Sequence, residues 1–195
     1  MTGTTMKALL TGAATAVLVA VPFLVFRSQM PDALSDDVAE TVVLPFNDAE
    51  TLERTLRARA HEIAAVIAEP VQGAGGVIVP PDDYFPRIRE ICDEYKVLFI
   101  ADEVITGFGR TGHWFGCETM GTKPDLMTFA KGVTSGYVPL GGVMVGDRVA
   151  RVLIEQGGEF NHGYTYSGHP VACAVGLANV ALIRELKLVE HVRDD

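Results

Sequence analysis

Three charged residues stand where apolar runs stop: Glu69 after "IAAVIA" (63–68), Asp102 after "KVLFIA" (96–101) and Lys131 after "DLMTFA" (125–130). Ligands of an open α/β sheet sit at the carboxyl ends of its strands. Residues ending separate strands would therefore converge on one crevice. A lysine at the end of a buried strand is costly to leave charged, because desolvation favours the neutral amine. A neutral amine is what a Schiff base with an aldehyde requires. If that aldehyde is carried on a pyridine ring, as in pyridoxal phosphate (PLP), a carboxylate must hold the ring nitrogen protonated, and Asp102 could do so. Taken alone, the same pair also reads as a surface lysine and a helix-capping aspartate, and both readings stay open.

Two other motifs compete for this region. Gly107-Phe-Gly109-Arg-Thr-Gly112 spells G-x-G-x-x-G. A dinucleotide loop needs its first glycine directly after the strand and a helix opening at its third. Here Gly107 trails the strand, and "HWFGCETMGTKPD" carries glycine and proline where the helix should run. No G-x-x-x-x-G-K-[ST] is present, which excludes a P-loop. Asp102 and Glu103 could be a metal-binding carboxylate pair, but no histidine lies at a ligand spacing from them. His162 and His169 read as isolated core or loop residues.

The elements that must position these residues follow from periodicity. "VAETVVLPF" (38–46) is a strand candidate. Asn47 or Asp48 can cap a helix to about His61, with Leu52 and Leu56 on one face and Glu50–Arg54 and Glu53–Arg57 pairs on the other. The run 63–68 is apolar throughout, as a parallel strand buried on both faces would be. Asp82 or Asp83 starts a second helix whose stripe is Phe85, Ile88, Cys92 and Tyr95. Strands follow at 96–101, 125–130 and 141–145. Helices are expected at about 147–156 and 169–187, the latter opened by Pro170. The alternation predicts βαβ units and an α/β fold with a mainly parallel sheet.

A chain of 195 residues can build one sizeable domain, and 48% hydrophobic with 21% charged residues is ordinary for a globular protein. A formal net charge of −9 argues against a nucleic-acid partner. Cys92, Cys117 and Cys173 form no C-x-x-C pair, so they read as buried, reduced residues of a reducing compartment, and the expected location is cytoplasmic. The stretch 8–26 stands apart: it is 19 uncharged residues between Lys7 and Arg27. A signal peptide, a short membrane span and a buried core segment all fit it. Membrane contact through it is the less favoured reading, because a signal peptide sits badly with a cytosolic cofactor enzyme.

"IAEPVQGAGGVIVPP", "LFIADEVITGFGRTG", "PDLMTFAKGVTSGYVPLGG" and "FNHGYTYSGHPVACAVG", in this order and spacing, resemble the class III (subgroup II) PLP-dependent aminotransferases, most of all their ω-amino acid:pyruvate branch. The resemblance covers roughly 38–191 and implies the large domain of a fold-type I enzyme. It implies Lys131 as the catalytic amine that joins the cofactor's aldehyde, Asp102 as partner of the ring nitrogen, and Val104 against a ring face. Ile105 stands where many members carry a glutamine that bonds the ring's phenolic oxygen. Glu69 matches a glutamate near the site. Tyr164 and Thr165 match a segment that reaches the cofactor phosphate of a neighbouring subunit, which implies a homodimer. Ala74 stands where the γ-aminobutyrate and ornithine enzymes carry a glutamate for the substrate carboxylate.

The implied activity moves an amino group from an amine or ω-amino acid to a keto acid such as pyruvate; both partners are small molecules. On this reading 1–30 is an apolar segment without a family counterpart. Residues 31–195 are a partial large domain, with the phosphate loop and C-terminal small domain outside it and little turnover expected of the chain alone. The competing expectation is a non-catalytic remnant, or a membrane-tethered interaction protein, that keeps the pieces of the fold.

Overall fold

The structure, a computed structural model, describes Phe23–Arg27 as a strand and residues 41–160 and 162–194. The expectations for 1–22 and 28–40, which include most of the apolar stretch and the linker after it, lie outside the described residues.

Six strands form one sheet among the described residues: β1 (Phe23–Arg27), β2 (Val42–Pro45), β3 (Ala65–Ala68), β4 (Leu98–Asp102), β5 (Leu126–Phe129) and β6 (Gly142–Val145). Their order across the sheet is β2-β1-β3-β4-β5-β6. All neighbours are parallel except β5 and β6, which pair antiparallel with Phe129 opposite Gly142. β1 falls at the end of the 8–26 stretch and pairs on both sides, Leu24 lying opposite Val42 and Val66. The chain thus steps outward from β1 to β2, crosses back, and proceeds from β3 to β5. Such a reversal makes a crevice at the carboxyl ends of the strands on either side of it.

Helix α1 (Ala49–Arg59) begins where Asp48 accepts hydrogen bonds from the Thr51 N–H (2.9 Å) and hydroxyl (2.6 Å). Glu53 and Arg57 pair at 2.8 Å as expected, whereas Arg54 turns away from Glu50 and donates to the Thr51 hydroxyl at 2.7 Å. Helix α2 (Tyr84–Glu94) has Asp83 at its N-cap, but in helical conformation and without a side-chain cap bond. Leu52 and Leu56 of α1 and Phe85, Ile88, Ile91 and Cys92 of α2 are fully buried against Val66, Phe99 and Ala101 of the sheet. Burying side chains of this size contributes about 1.5–3 kcal/mol each. The opposite face carries Ala65, Ile100 and Leu126 with Val149 of helix α4 (Asp147–Gln156) packed on them. Both faces of β3 and β4 are therefore covered, which is why their sequences run apolar without alternation.

Asp125, buried at the amino end of β5, ties these layers together. It accepts hydrogen bonds from the Phe99 N–H (2.8 Å) and from Arg89 of α2 (2.9 Å). The carboxyl ends of β3, β4 and β5 lie at the opposite edge. Beyond β6 come helices α5 (Pro170–Glu185) and α6 (Leu188–Asp194); between β4 and β5 lies the one-turn helix α3 (Gly116–Thr119). Cys92 and Cys117 are buried as expected, while Cys173 is only half-buried; none forms a disulfide.

Candidate active site

Register alone brings the three strand-end residues together. Ala68 lies opposite Ala101, so Glu69 and Asp102 leave neighbouring strands at the same level; Asp102 lies opposite Thr128, just before Lys131. Adjacent strands are about 4.8 Å apart, so three consecutive strands span about 10 Å.

Asp102 is half-buried, and its Oδ1 accepts from the Val104 N–H and from the Thr128 hydroxyl, each at 3.1 Å. Its Oδ2 has no hydrogen-bond partner among the described residues. The carboxylate is thus clamped on one oxygen and open on the other. Glu103, next along the chain, points the other way. It is fully buried, and its carboxylate accepts from the Thr106 hydroxyl and from the Gly116 (2.8 Å) and Cys117 (2.6 Å) N–H groups. The Asp-Glu pair is therefore split: one member lies at the crevice, and the other anchors the start of α3. No cluster that could hold a metal occurs among the described residues. Sequence reasoning weighed Glu103 only as a metal ligand and missed this anchoring role. Beside it, burial and then the Glu103 charge push the Cys117 thiol up to about 12.

Glu69 does not point at Asp102. Its Oε2 accepts from the Gly73 N–H at 3.1 Å and so closes the loop that follows β3. Ile105 packs on that loop: a Cβ at Gly73 would lie 2.6 Å from Ile105 Cδ1. Ala74 is exposed beside it. The "FGRTG" segment is a turn in which Gly109 and Gly112 hold left-handed φ values, and no helix opens at Gly112. The G-x-G-x-x-G match is accidental.

Lys131 begins a short 3-10 turn (Lys131–Val133) directly after β5. Its side chain is exposed, so the desolvation expected from the apolar run before it is not supplied by the described residues. Its φ is +42°, and nearby Phe108 and Ser135 have φ of +60° and +50°. Each such non-glycine residue costs about 1 kcal/mol or more, and such strain gathers at functional sites. Phe108 supports the turn from below: a Cβ on Gly132 would meet the Phe108 Cβ at 3.1 Å. Lys131 and Phe108 also line a cavity of about 510 Å³, with Ile183 of α5 and Leu188 of α6 on its far side. Asn179 of α5 donates to the Gly132 and Val133 carbonyls at 2.9 and 3.0 Å, a tie that no spacing signal announces.

Tyr164 and Thr165 are exposed, and Tyr164 lines a different cavity from Lys131. This second cavity, of about 650 Å³, is also lined by Val138–Gly141, Tyr166 and His169. His162 stacks edge-on between Phe160 and Tyr164, and His169 caps α5 by accepting from the Ala172 N–H at 3.4 Å. Within this chain, then, Glu69, Val104, Ile105, Asp102 and Lys131 share one end of the sheet, and Tyr164 lines the second cavity.

An amine and a half-open carboxylate thus stand on neighbouring strand ends. Residues 3–195 match the family model for aminotransferase class III, and the chain belongs to that family. It is 62% identical over 146 residues to a putrescine–pyruvate aminotransferase of Pseudomonas aeruginosa, covering 74% of this chain and 32% of the relative. It is 51% identical over 148 residues to a chloroplastic gamma aminobutyrate transaminase 3 of Solanum lycopersicum, covering 74% of this chain and 28% of that one. Among solved structures it superposes on a Virgibacillus transaminase with a TM-score of 0.75 and 46% identity over 87% of this chain and 44% of the other. An (S)-enantioselective omega-transaminase from Thermomicrobium roseum gives 0.77 and 41% over 87% and 45%. These transaminase structures share its α/β architecture, of fold type I. The chain spans about a third of the curated relatives it matches and under half of these two solved chains.

Proposed function

We propose that this chain carries the amine-bearing part of a PLP-dependent transaminase that moves an amino group from an amine or ω-amino acid to a keto acid such as pyruvate. The observation that carries the reading is the pairing of Lys131 with a carboxylate that Val104 and Thr128 hold by one oxygen only. This donor set suits pyridoxal 5'-phosphate: an amine for its aldehyde, and an open carboxylate oxygen for its ring nitrogen. When bound, that group supplies an electron-withdrawing ring that stabilises negative charge on the carbon of a substrate attached to it.

Each residue then has a task. The Lys131 Nζ would hold the cofactor through its aldehyde. Once freed by an amino donor, it would serve as the general base and acid that takes a proton from the donor carbon and delivers it to the cofactor carbon. Asp102 Oδ2 would hold the proton on the ring nitrogen. Val104 would pack against the ring, and Ile105 would offer its phenolic oxygen no side-chain donor. Glu69 keeps the β3 loop, with Gly73 and Ala74, at the edge of the crevice. Tyr164 and Thr165, both exposed, would face the phosphate of a second copy in a homodimer.

The partial large domain is proposed to reach back at least to Phe23, because β1 pairs on both sides in the sheet. Unpaired cysteines support a cytoplasmic location. Among the described residues no helix is long and apolar enough to cross a membrane.

The test is to incubate the chain with PLP, reduce with borohydride and map the adduct by peptide mass spectrometry. A dominant adduct on Lys131, lost in Lys131→Ala and weakened in Asp102→Ala, is expected. Adducts scattered over surface lysines would sink the reading and leave a non-catalytic remnant in its place.

A further inference from the structure

The turn that carries Lys131 has its own bonds, from the Val133, Thr134 and Ser135 N–H groups to Ala130, Lys131 and Gly132 and from the Thr134 hydroxyl to the Val138 carbonyl, and α5 adds a tie from outside. The turn's two carbonyls beyond the lysine, those of Gly132 and Val133, are engaged by one side-chain amide from a residue 47 and 46 positions later in the chain. The same side chain, Asn179, accepts through Oδ1 from the Ser135 hydroxyl at 2.7 Å. Asn179 therefore closes three hydrogen bonds onto residues 132–135, a segment flanked by the left-handed Lys131 and Ser135. Ala172, Gly176, Asn179 and Ile183 recur at helical spacing on the face of α5 turned to this turn, and Ala172 and Ile183 are buried there. Gly176 makes the approach possible: a Cβ there would lie 3.0 Å from Leu140 Cδ2 and 3.7 Å from Val133 Cγ2. The helix comes close at Gly176 so that an amide one turn later can reach the carbonyls.

We infer that Asn179 is the positioning residue of Lys131. It locks the 131–135 turn, whose first and last residues are left-handed, so that the amine rises from the end of β5 at the level of Asp102 rather than swinging with the loop. The inference rests on Lys131 being the amine that receives the cofactor. An asparagine suits the task because its planar amide offers the two donors and one acceptor that the Gly132, Val133 and Ser135 groups engage. Aspartate would keep the bond from Ser135 and lose both bonds to the carbonyls.

The experiment compares the full chain with Asn179→Ala and Asn179→Asp. Each is treated with PLP and borohydride, and the adduct on Lys131 is expressed relative to those on Lys96 and Lys123 in the same digest. Both variants are expected to lose at least tenfold of the Lys131 share. Amide exchange in the peptide covering 131–137 should accelerate, with melting temperature held within a few degrees. An unchanged Lys131 share in a folded variant overturns the inference even if exchange accelerates, because Asn179 would then be structural only. If the unaltered chain shows no preference for Lys131, the cofactor reading fails separately. Acetic anhydride then replaces PLP as the probe, and the Lys131 share must still change in the variants for the positioning role to stand. Should Asn179→Ala fail to fold, the near-isosteric Asn179→Asp gives the same comparison.

Discussion

At the scale of single residues, the site is organised by what is withheld as much as by what is offered. Thr128 and Val104 occupy one oxygen of Asp102 and leave the other open, so the direction of the carboxylate is set by its neighbours. Thr128→Val removes one of these bonds without changing shape, a loss of about 1 kcal/mol. It should lower the Lys131 adduct formed at subsaturating PLP several-fold while the melting temperature barely moves. Glu103→Leu should do the reverse. It strands the Thr106 hydroxyl and the Gly116 and Cys117 N–H groups in a buried place, at a cost of about 2–4 kcal/mol read as a lower urea midpoint. On the proposed reading, adjacent acidic residues thus separate into one that should answer in cofactor binding and one that should answer in stability. The sequence pattern could nominate the pair but not divide it, because the division depends on which side of β4 each side chain leaves.

At the scale of elements, the parts that could be read were those whose signal is local. The apolar runs of β3, β4 and β5, the Leu52/Leu56 face of α1 and the cap at Asp48 all follow from short-range pattern, and they appear where expected within a residue or two. Asp48→Ala should cost about 1 kcal/mol of stability, because α1 loses its N-terminal acceptor. The Thr51 bonds, first through its hydroxyl and then its N–H, hold the Asp48 carboxyl below the usual carboxylate range. A group with a depressed folded pKa stabilises above its unfolded value, so this contribution should fade as pH falls through the folded one. Acid titration of the difference between Asp48→Ala and the parent checks it. The direction of β6 was not legible, since four apolar residues carry no sign of which way they run. Nor was β1, hidden inside a longer apolar stretch that a membrane or export segment would match equally well. The tie from Asn179 to the Lys131 turn was invisible for a third reason: it joins residues 47 apart, and no periodicity spans such a gap.

At the scale of the whole molecule, two properties follow from how burial is distributed. Cys92 and Cys117 are held as thiols, with burial pushing each up to about 12. Groups whose folded pKa is raised stabilise fully below their unfolded value, near 8.5, and lose that contribution as pH climbs toward 12. Unfolding followed by urea should therefore become easier through that alkaline window, and a Cys92→Ala/Cys117→Ala protein should show a flatter dependence. At neutral pH an aromatic disulfide reagent should titrate Cys173 readily and the other two only after denaturation. The second property is an open edge. Val143, Met144 and Val145 of β6 are 38–42% exposed, and the strand pairs on one side only among the described residues. An unpaired apolar edge is a template for further strands. Concentration-dependent self-association, seen by sedimentation and reduced by Met144→Lys, is the expected outcome.

The place of β1 in the sheet also carries a timetable. A ribosome releases this chain from its N-terminus, so the strand destined for the interior emerges before either neighbour exists. It gains β2 first and then waits for β3, whose route crosses back over it. The lysine turn waits longer still, because the helix that fastens it follows it by about forty residues. Until that helix docks, the turn lacks the three bonds from Asn179, so on the proposed reading Lys131 acquires its preference for one aldehyde only after residue 179 has been made and placed.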